Sequence, residues 1–242
     1  MSEFLLLTLY APLASWGEIA VGEVRGSWDR PSRSALLGLL AAALGLTRDN
    51  QVAHDALDAG YGIAVRLDAP GTPMVDYHTA QTVAESVLKK SRPSTRKKML
   101  EAGDRETILS WRSYRADALA TVAIWAHGQP RWSLSDLETA LQRPKFTLFA
   151  GRKSNPFGLP LNPVLAKTRT LAEAFASRSP DAAAIDLTTL KPKTGWGREI
   201  AHDIADDIET GLTLRRRETR RDAKPHRTRW QFENRTVEVS DG

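Results

Sequence analysis

Twelve uncharged residues, Ala35 to Leu46, follow directly on a basic, hydroxyl-rich lead in the stretch RPSRSALLGLLAAALG. No other feature narrows the possible folds so far. The run is well short of the roughly 20 apolar residues that a helix needs to cross a bilayer. Ser32 offers an N-cap, Pro31 lies near the first turn, and Gly45 stands just past the end, so the stretch predicts a helix. Gly38 and the three alanines Ala41–Ala43 point to close packing of that helix against a sheet.

The flanking patterns supply the sheet. EFLLLTLY reads as an opening strand; Glu3 in place of a positive charge, with Tyr10 and Pro12 interrupting the run, argues against a signal peptide and for a mature cytoplasmic protein. YGIAVRLD (Tyr61–Asp68) alternates as a half-buried strand does, and PMVDYHT adds a short partner or leads into a loop. Residues Ala80–Trp111 read as a projecting insertion, with Pro93, a short helix around Thr95–Ala102 and another from Asp104 to Trp111. ATVAIWAH is then a strand, SLSDLETALQRP a helix capped by Ser133 or Ser135, and KFTLFAGR a strand. The order is βαββαβ: an α+β, ferredoxin-like or RRM-like domain over residues 1–156, with a thumb insertion at about 80–111. Residues 157–242 read as a small β-rich C-terminal subdomain. There Leu171–Ser177 is helical, REIAHDIADDIETG is helical or irregular, and short strands are expected at Gly211–Arg215, Thr228–Phe232 and Thr236–Val239.

Charge narrows the function. The chain has 242 residues, 41% of them apolar, a net charge of +5 and no cysteine, which excludes disulfides, thiolate metal sites and thiol nucleophiles. The positive charge is concentrated. KKSRPSTRKK (Lys89–Lys98) holds six basic residues and no acid, and RRRETRRDAKPHRTR (Arg215–Arg229) holds eight basic and two acidic, so the remainder of the chain is acidic. Clustered cations on an acidic body fit a polyanion, because each neutralised phosphate releases counterions. Each cluster alone is equally well read as a solvated loop.

Several constellations invite chemistry. The predicted helix presents free N–H groups at its start beside Arg30, Ser32, Arg33 and Ser34, a place for a phosphate as well as a plain capped helix. It lacks the Gly-Lys-Ser/Thr pattern of a Walker loop. DYHT brings Tyr77 and His78 to the edge of the insertion; a His with a Tyr and a Lys nearby can abstract a 2′-hydroxyl proton and cut RNA without metal, although an RNA-contacting or structural His is commoner. In HDIADD, Glu199, Asp203 and Asp206 would share a helical face with His202 beside them, but no second His cluster completes a metal site, and a solvated acidic face explains the run. SWRSYRADA interleaves Trp111 and Tyr114 with Arg112 and Arg115, and GRKSNP follows a strand end with Arg152 and Lys153; such combinations stack bases and hold phosphates. No cofactor is expected.

YAPLASWG, RPSRSALLGLLAAALG, DYHT, WRSYRADALATVAIW and PKFTLFAGRKSNP occur in the order and spacing of the Cas five family of RAMP proteins, and the chain resembles its CasD-type members from type I-E CRISPR Cascade. The motifs span about residues 5–156; beyond them only the basic stretch and WQFENRTVEV are similar. Asn155 stands where the family often carries cysteine. The resemblance implies a non-catalytic, crRNA-binding subunit of the antiviral surveillance complex. Its RRM-like domain would grip the 5′ handle of the crRNA and cap the backbone filament, while the thumb reaches over the guide. The partners implied are crRNA, the adjacent backbone subunit, the large subunit and, through the assembled complex, target DNA, with no membrane. RNA contacts would come from Trp16, Arg30, Ser32, Arg33, Ser34, Tyr77, His78, Lys89, Lys90, Arg92, Arg96, Lys97, Lys98, Trp111, Arg112, Tyr114, Arg152 and Lys153. The alternative is a metal-independent endoribonuclease for repeat RNA, since type I-C relatives in the family cut it themselves.

Overall fold

The computed structural model describes residues 1–17, 20, 22–103, 105–178, 199–226 and 231–242. In chain order these form β1 (Ser2–Ala14), β2 (Trp16–Gly17), β3 (Val24–Arg25), β4 (Ser27–Trp28), α1 (Arg33–Leu44), α2 (Gln51–Gly60), β5 (Tyr61–Ala69), β6 (Thr72–Val83), α3 (Glu85–Ser91), α4 (Arg96–Glu101), β7 (Arg105–Ala126), α5 (Leu134–Gln142), β8 (Val164–Thr168), α6 (Leu171–Ser177), β9 (Glu199–His202), β10 (Thr213–His226) and β11 (Gln231–Asp241).

The central strands run in the order β5-β7-β1-β8, each antiparallel to its neighbour. β1 is therefore parallel to β5 across β7, with α1 and α2 as the crossover, and β7 is parallel to β8 across β1, with α5 as the crossover. Two interlocked split βαβ units make the ferredoxin-like core. The fourth strand of this core is Val164–Thr168, not the KFTLFAGR segment expected from its β-rich composition. Residues 145–152 are irregular because their backbone is engaged elsewhere: Lys145 N–H donates to Ala43 O and Phe146 N–H to Ala42 O, at the end of α1.

α1 forms as its punctuation requires. The Ser32 hydroxyl accepts the Ala35 N–H at 3.2 Å, and Gly45, at φ 75°, lets the Gly45 and Leu46 N–H groups return to Ala42 O and Ala41 O. Leu36, Leu37, Leu40, Ala41 and Ala43 are buried against Leu5, Leu7 and Leu9 of β1. The alternate residues Phe4 and Leu6 pack on the other face with Trp125, Leu171, Phe175 and Ile200. A strand covered on both faces reads as a continuous apolar run, as FLLLTLY does. Gly62 is demanded by this packing, since a Cβ there would lie 2.0 Å from the indole of Trp125, its cross-strand partner.

β7 has two lives. From Ala118 to Trp125 it is buried in the sheet, whereas from Arg105 to Ala116 it leaves the core and pairs with β6 in an exposed ribbon, Val83 opposite Arg105 and Thr72 opposite Ala116. The break lies at Asp117 (φ 56°) and Gly71 (φ 67°), where the Tyr10 hydroxyl holds the Asp117 carboxylate at 2.9 Å. The helix expected from Asp104 to Trp111 is thus strand from Arg105 onward, and Asp104 itself lies outside the described residues. α3 and α4 join the two ends of the ribbon and bury no residue.

β9 extends the same sheet from β5, and the β10–β11 hairpin continues it. REIAHDIADDIETG is a short strand followed by loop, not a helix, and the short strands expected near the C-terminus are long ones; Thr228–Trp230 lie outside the described residues. α2, capped by the Asn50 side chain, was not anticipated. Among the described residues no helix is long and apolar enough to cross a membrane.

Candidate nucleic-acid interface

Alternation along β6 and β7 gives the ribbon two different faces. On one, Tyr77 and Trp111 are directly opposite, with ring centroids 5.3 Å apart and exposures of 54% and 38%. Val75 and Val24, the latter beside Trp111 in the short parallel pair β3–β7, extend this apolar face. On the other face lie Asp76, His78, Ser110, Arg112 and Tyr114. His78 Nδ1 stands 3.3 Å from Asp76 Oδ2, and Arg112 Nε donates to Ser110 Oγ. Tyr77 and His78 therefore point away from each other, and the paired acid and base that a cleavage site would take from DYHT is not assembled.

The GRKSNP loop is fixed beside the charged face. Gly151, at φ 83°, passes so close to Ser15 that a Cβ would lie 1.9 Å from its carbonyl oxygen, and Ser15 N–H donates to Ala150 O. Asn155 is buried and closes the turn: its carbonyl accepts the Ala150 N–H at 2.8 Å and its N–H donates to Arg152 O. The turn sets the Arg152 guanidinium 4.4 Å above the Tyr114 ring, with Nη2 donating to Arg25 O. Nη1 is buried and has no acceptor among the described residues. Lys153 is exposed.

At the far end of the ribbon the first basic cluster faces solvent on α3 and α4. Lys89 pairs with Glu85 at 2.9 Å and Lys97 with Glu101 at 4.0 Å, both one helical turn away, and Arg96 reaches Gln81 O. Exposed pairs of this kind hold their cations loosely. Lys90, Arg92 and Lys98 make no ion pair among the described residues.

The helix mouth differs from its expected form. Arg30 is 4% exposed and lies between Glu218, at 2.5 Å, and Asp29. The Arg33 N–H donates to Asp222 Oδ2 at 2.9 Å, and the Arg33 side chain binds Asp58, Asp203 and the Tyr61 carbonyl. The Arg33 N–H and both arginines are thus met by carboxylates of the chain itself, the Ala35 N–H is met by the Ser32 hydroxyl, and Ser32 and Ser34 bond to each other at 3.1 Å. Trp16 is buried, opposite Trp28 in the β2–β4 pair.

The second basic cluster is also largely partnered over its described part, though the exposed Arg221 makes no ion pair among the described residues and donates to the Phe232 carbonyl. Arg215 and Arg216 bind Glu199, Arg217 binds Glu238, and Arg220 binds Glu218, while Arg235 bridges Asp203 and Asp222. Hydrogen bonds from Arg216 hold the Glu199 carboxyl below its ordinary range. Burial works to raise Glu218, but Arg30 beside it and the bonds from Arg216 and Arg220 leave it lowered. Burial also lowers Arg30. The sequence signal for this was present: Glu218 and Asp222 inside the arginine run, with Glu238 on the returning strand. The metal idea loses its geometry as well, because Glu199 and Asp203 lie in strand and loop and are engaged by arginines. Among the described residues no group of three His, Asp or Glu could hold a metal ion.

Residues that sequence reasoning passed over are Arg25, Arg143 and Lys145. Counted with Arg152 and Lys153, the segment 143–156 carries four cations and no carboxylate.

Comparison with known proteins agrees with this architecture. Residues 4–238 match the family described as CRISPR-associated protein (Cas_Cas5). The CRISPR system Cascade subunit CasD of Escherichia coli strain K12 is 34% identical over 171 residues, covering 66% of this chain and 70% of the relative. A chain from a CRISPR RNA-guided surveillance complex superposes with a TM-score of 0.62 at 24% identity, over 98% of this chain and 90% of its own. A crystal structure of a Cas protein gives 0.54 at 22% identity, over 98% and 93%. The ordered motifs, the split βαβ core and the family match agree: the chain belongs to the Cas5 family of CRISPR-associated proteins.

Proposed function

We propose that this chain is a crRNA-binding, non-catalytic subunit of a type I-E surveillance complex, recognising the 5′ handle of the crRNA and capping one end of the backbone filament in antiviral defence. The similarity to a Cascade subunit supports the assembly. The observation that carries the RNA reading is the ribbon, which pairs an exposed Tyr77–Trp111 platform with solvent-facing lysines and arginines on α3 and α4. Exposed aromatics stack on unpaired bases, and loosely held cations neutralise phosphates. Arg112, Tyr114, Arg152 and Lys153 provide a second group of contacts at the base of the ribbon. Arg30, Ser32, Arg33 and Ser34 act by shaping the helix mouth.

The ribbon would reach the adjacent backbone subunit, the large subunit would dock nearby, and target DNA would be met through the assembled, cytoplasmic complex. A non-catalytic role is favoured over RNA cleavage because Tyr77 and His78 stand on opposite faces. The test is binding of labelled handle RNA against a scrambled RNA, with EDTA present. Preferential binding with the RNA intact is expected; no preference, or specific cleavage lost in His78→Ala, would overturn the reading.

A further inference from the structure

Where the ribbon leaves the core, its two strands turn a corner together. The pairs Ala69–Leu119 and Thr72–Ala116 place Gly71 opposite Asp117, and both residues are left-handed, at φ 67° and φ 56°. Glycine is required at the first, since a Cβ there would lie 2.6 Å from the Ala116 carbonyl oxygen. On the other edge of β7, the pairs Ala11–Ala118 and Leu13–Ala116 place Pro12 opposite Asp117. Proline has no N–H, so β1 donates no ladder bond at this level.

Aspartate is a costly residue for this corner. A side chain disfavours the left-handed region, and among the described non-glycine residues only Arg92, Asp117 and Asn162 occupy it. Arg92 closes α3 and Asn162 lies in a loop, so Asp117 alone does so inside a strand. Its carboxylate has one side-chain partner among the described residues, the Tyr10 hydroxyl at 2.9 Å. Tyr10 is a fixed post. It is buried with Ala69, Leu119 and Leu159, its carbonyl accepts the Gly158 N–H at 2.9 Å, and a Cβ on Gly158 would lie 2.8 Å from its ring.

A strained strand residue tied by its side chain to an immobile ring is the form a hinge with a catch takes. We propose that the Tyr10–Asp117 bond is a latch that fixes the angle between ribbon and core, with Gly71 and Asp117 as the pivot when the latch opens. Tyr10 and Asp117 are then positioning residues. The latch is independent of RNA binding, which concerns what the ribbon touches and not what aims it. The other ties at the base are Ser15 Oγ donating to Ser113 O at 3.1 Å, β3 beside Trp111 and Arg112, and Arg152 over Tyr114. All are made to β7, whereas β6 beyond Gly71 pairs with β7 alone.

Spin-label distances in the full-length chain test the latch. The chain has no cysteine, so Thr79→Cys on the ribbon and Val52→Cys on α2, both exposed, take labels at those places only. Thr79 lies eight residues beyond Gly71, a lever of about 26 Å at about 3.3 Å per residue, so a turn of about 10° moves its label by about 5 Å. The labelled parent should give one narrow distance distribution. Tyr10→Phe keeps the ring and loses the hydroxyl; Asp117→Gly keeps the left-handed backbone and loses the carboxylate. Each should melt cooperatively, yet broaden or displace the distribution by about 5 Å or more. Asp117→Asn, which tolerates the left-handed region and still accepts from Tyr10, should give the parent distribution. Parent-like distributions in both Tyr10→Phe and Asp117→Gly would overturn the latch and assign the angle to Ser15, β3 and Arg152. A broad distribution in the parent would overturn it as well.

Discussion

Asp222 on β10 accepts the backbone N–H of Arg33, the first residue of α1, at 2.9 Å, so the C-terminal hairpin supplies the anion for the start of the helix that organises the core. The same carboxylate takes two bonds from Arg235, each 3.0 Å, and is 8% exposed. Removing one member of such a network leaves buried cations and an N–H without a partner. Asp222→Ala should lower the unfolding free energy by about 3–5 kcal/mol, measured by urea denaturation.

Acid should loosen the same region. The folded-state pKa of Glu199 is depressed, first of all by the hydrogen bonds from Arg216, and that of Glu218 is lowered by its arginines against the effect of burial. A depressed carboxylate contributes stability above its unfolded-state pKa, about 4.3 for glutamate, and loses it as pH falls through the folded value. The urea midpoint should therefore drop as pH is taken from 6 to about 3, and less steeply in Glu199→Gln than in the parent.

The two basic clusters should differ in their dependence on salt. Lys90 and Lys98 face solvent without ion pairs among the described residues, whereas Arg217 is committed to Glu238 at 2.9 Å. Replacing Lys90 and Lys98 by Ala should reduce the slope of log affinity for RNA against log salt by about 0.7 for each phosphate no longer neutralised. Arg217→Ala should leave that slope unchanged. Equal slopes in all three proteins would show that the cluster on α3 and α4 does not meet phosphate.

Tyr77→Ala and Trp111→Ala should separate binding from folding. Both rings are substantially exposed, on a ribbon outside the core, so stability should stay within about 0.5 kcal/mol. Loss of a stacked base should weaken RNA binding by about 1–3 kcal/mol, read by titration with fluorescent RNA.

How far the sequence disclosed this arrangement depended on where each signal resides. The caps and the uncharged run made α1 legible because a helix start and stop are local events. The apolar β1 and the cap at Ser133 were legible for the same reason, and so was β5 as a strand, although it is buried on both faces and not half-buried as its alternation predicted. KFTLFAGR and the segment after Asp104 were misread because short apolar runs suit strand, helix or loop equally, and here tertiary hydrogen bonds to α1 and cross-strand pairing with β6 decided between them. Composition indicated a basic surface correctly but could not say which cations are exposed. Glu218 within the second cluster, Glu238 brought to it by the hairpin and Glu199 brought by β9 absorb much of that charge within the fold. The opposed directions of Tyr77 and His78 follow from simple alternation once DYHT is known to be strand.

The central claim is that RNA lies along the ribbon and the segment 143–156. It is tested most directly by ultraviolet crosslinking of 4-thiouridine-substituted handle RNA to the chain within its assembled complex, with the attached peptides identified by mass spectrometry. Crosslinks within residues 72–116 and 143–156 are the expected result. Crosslinks confined to other segments, or none to this chain, would contradict it.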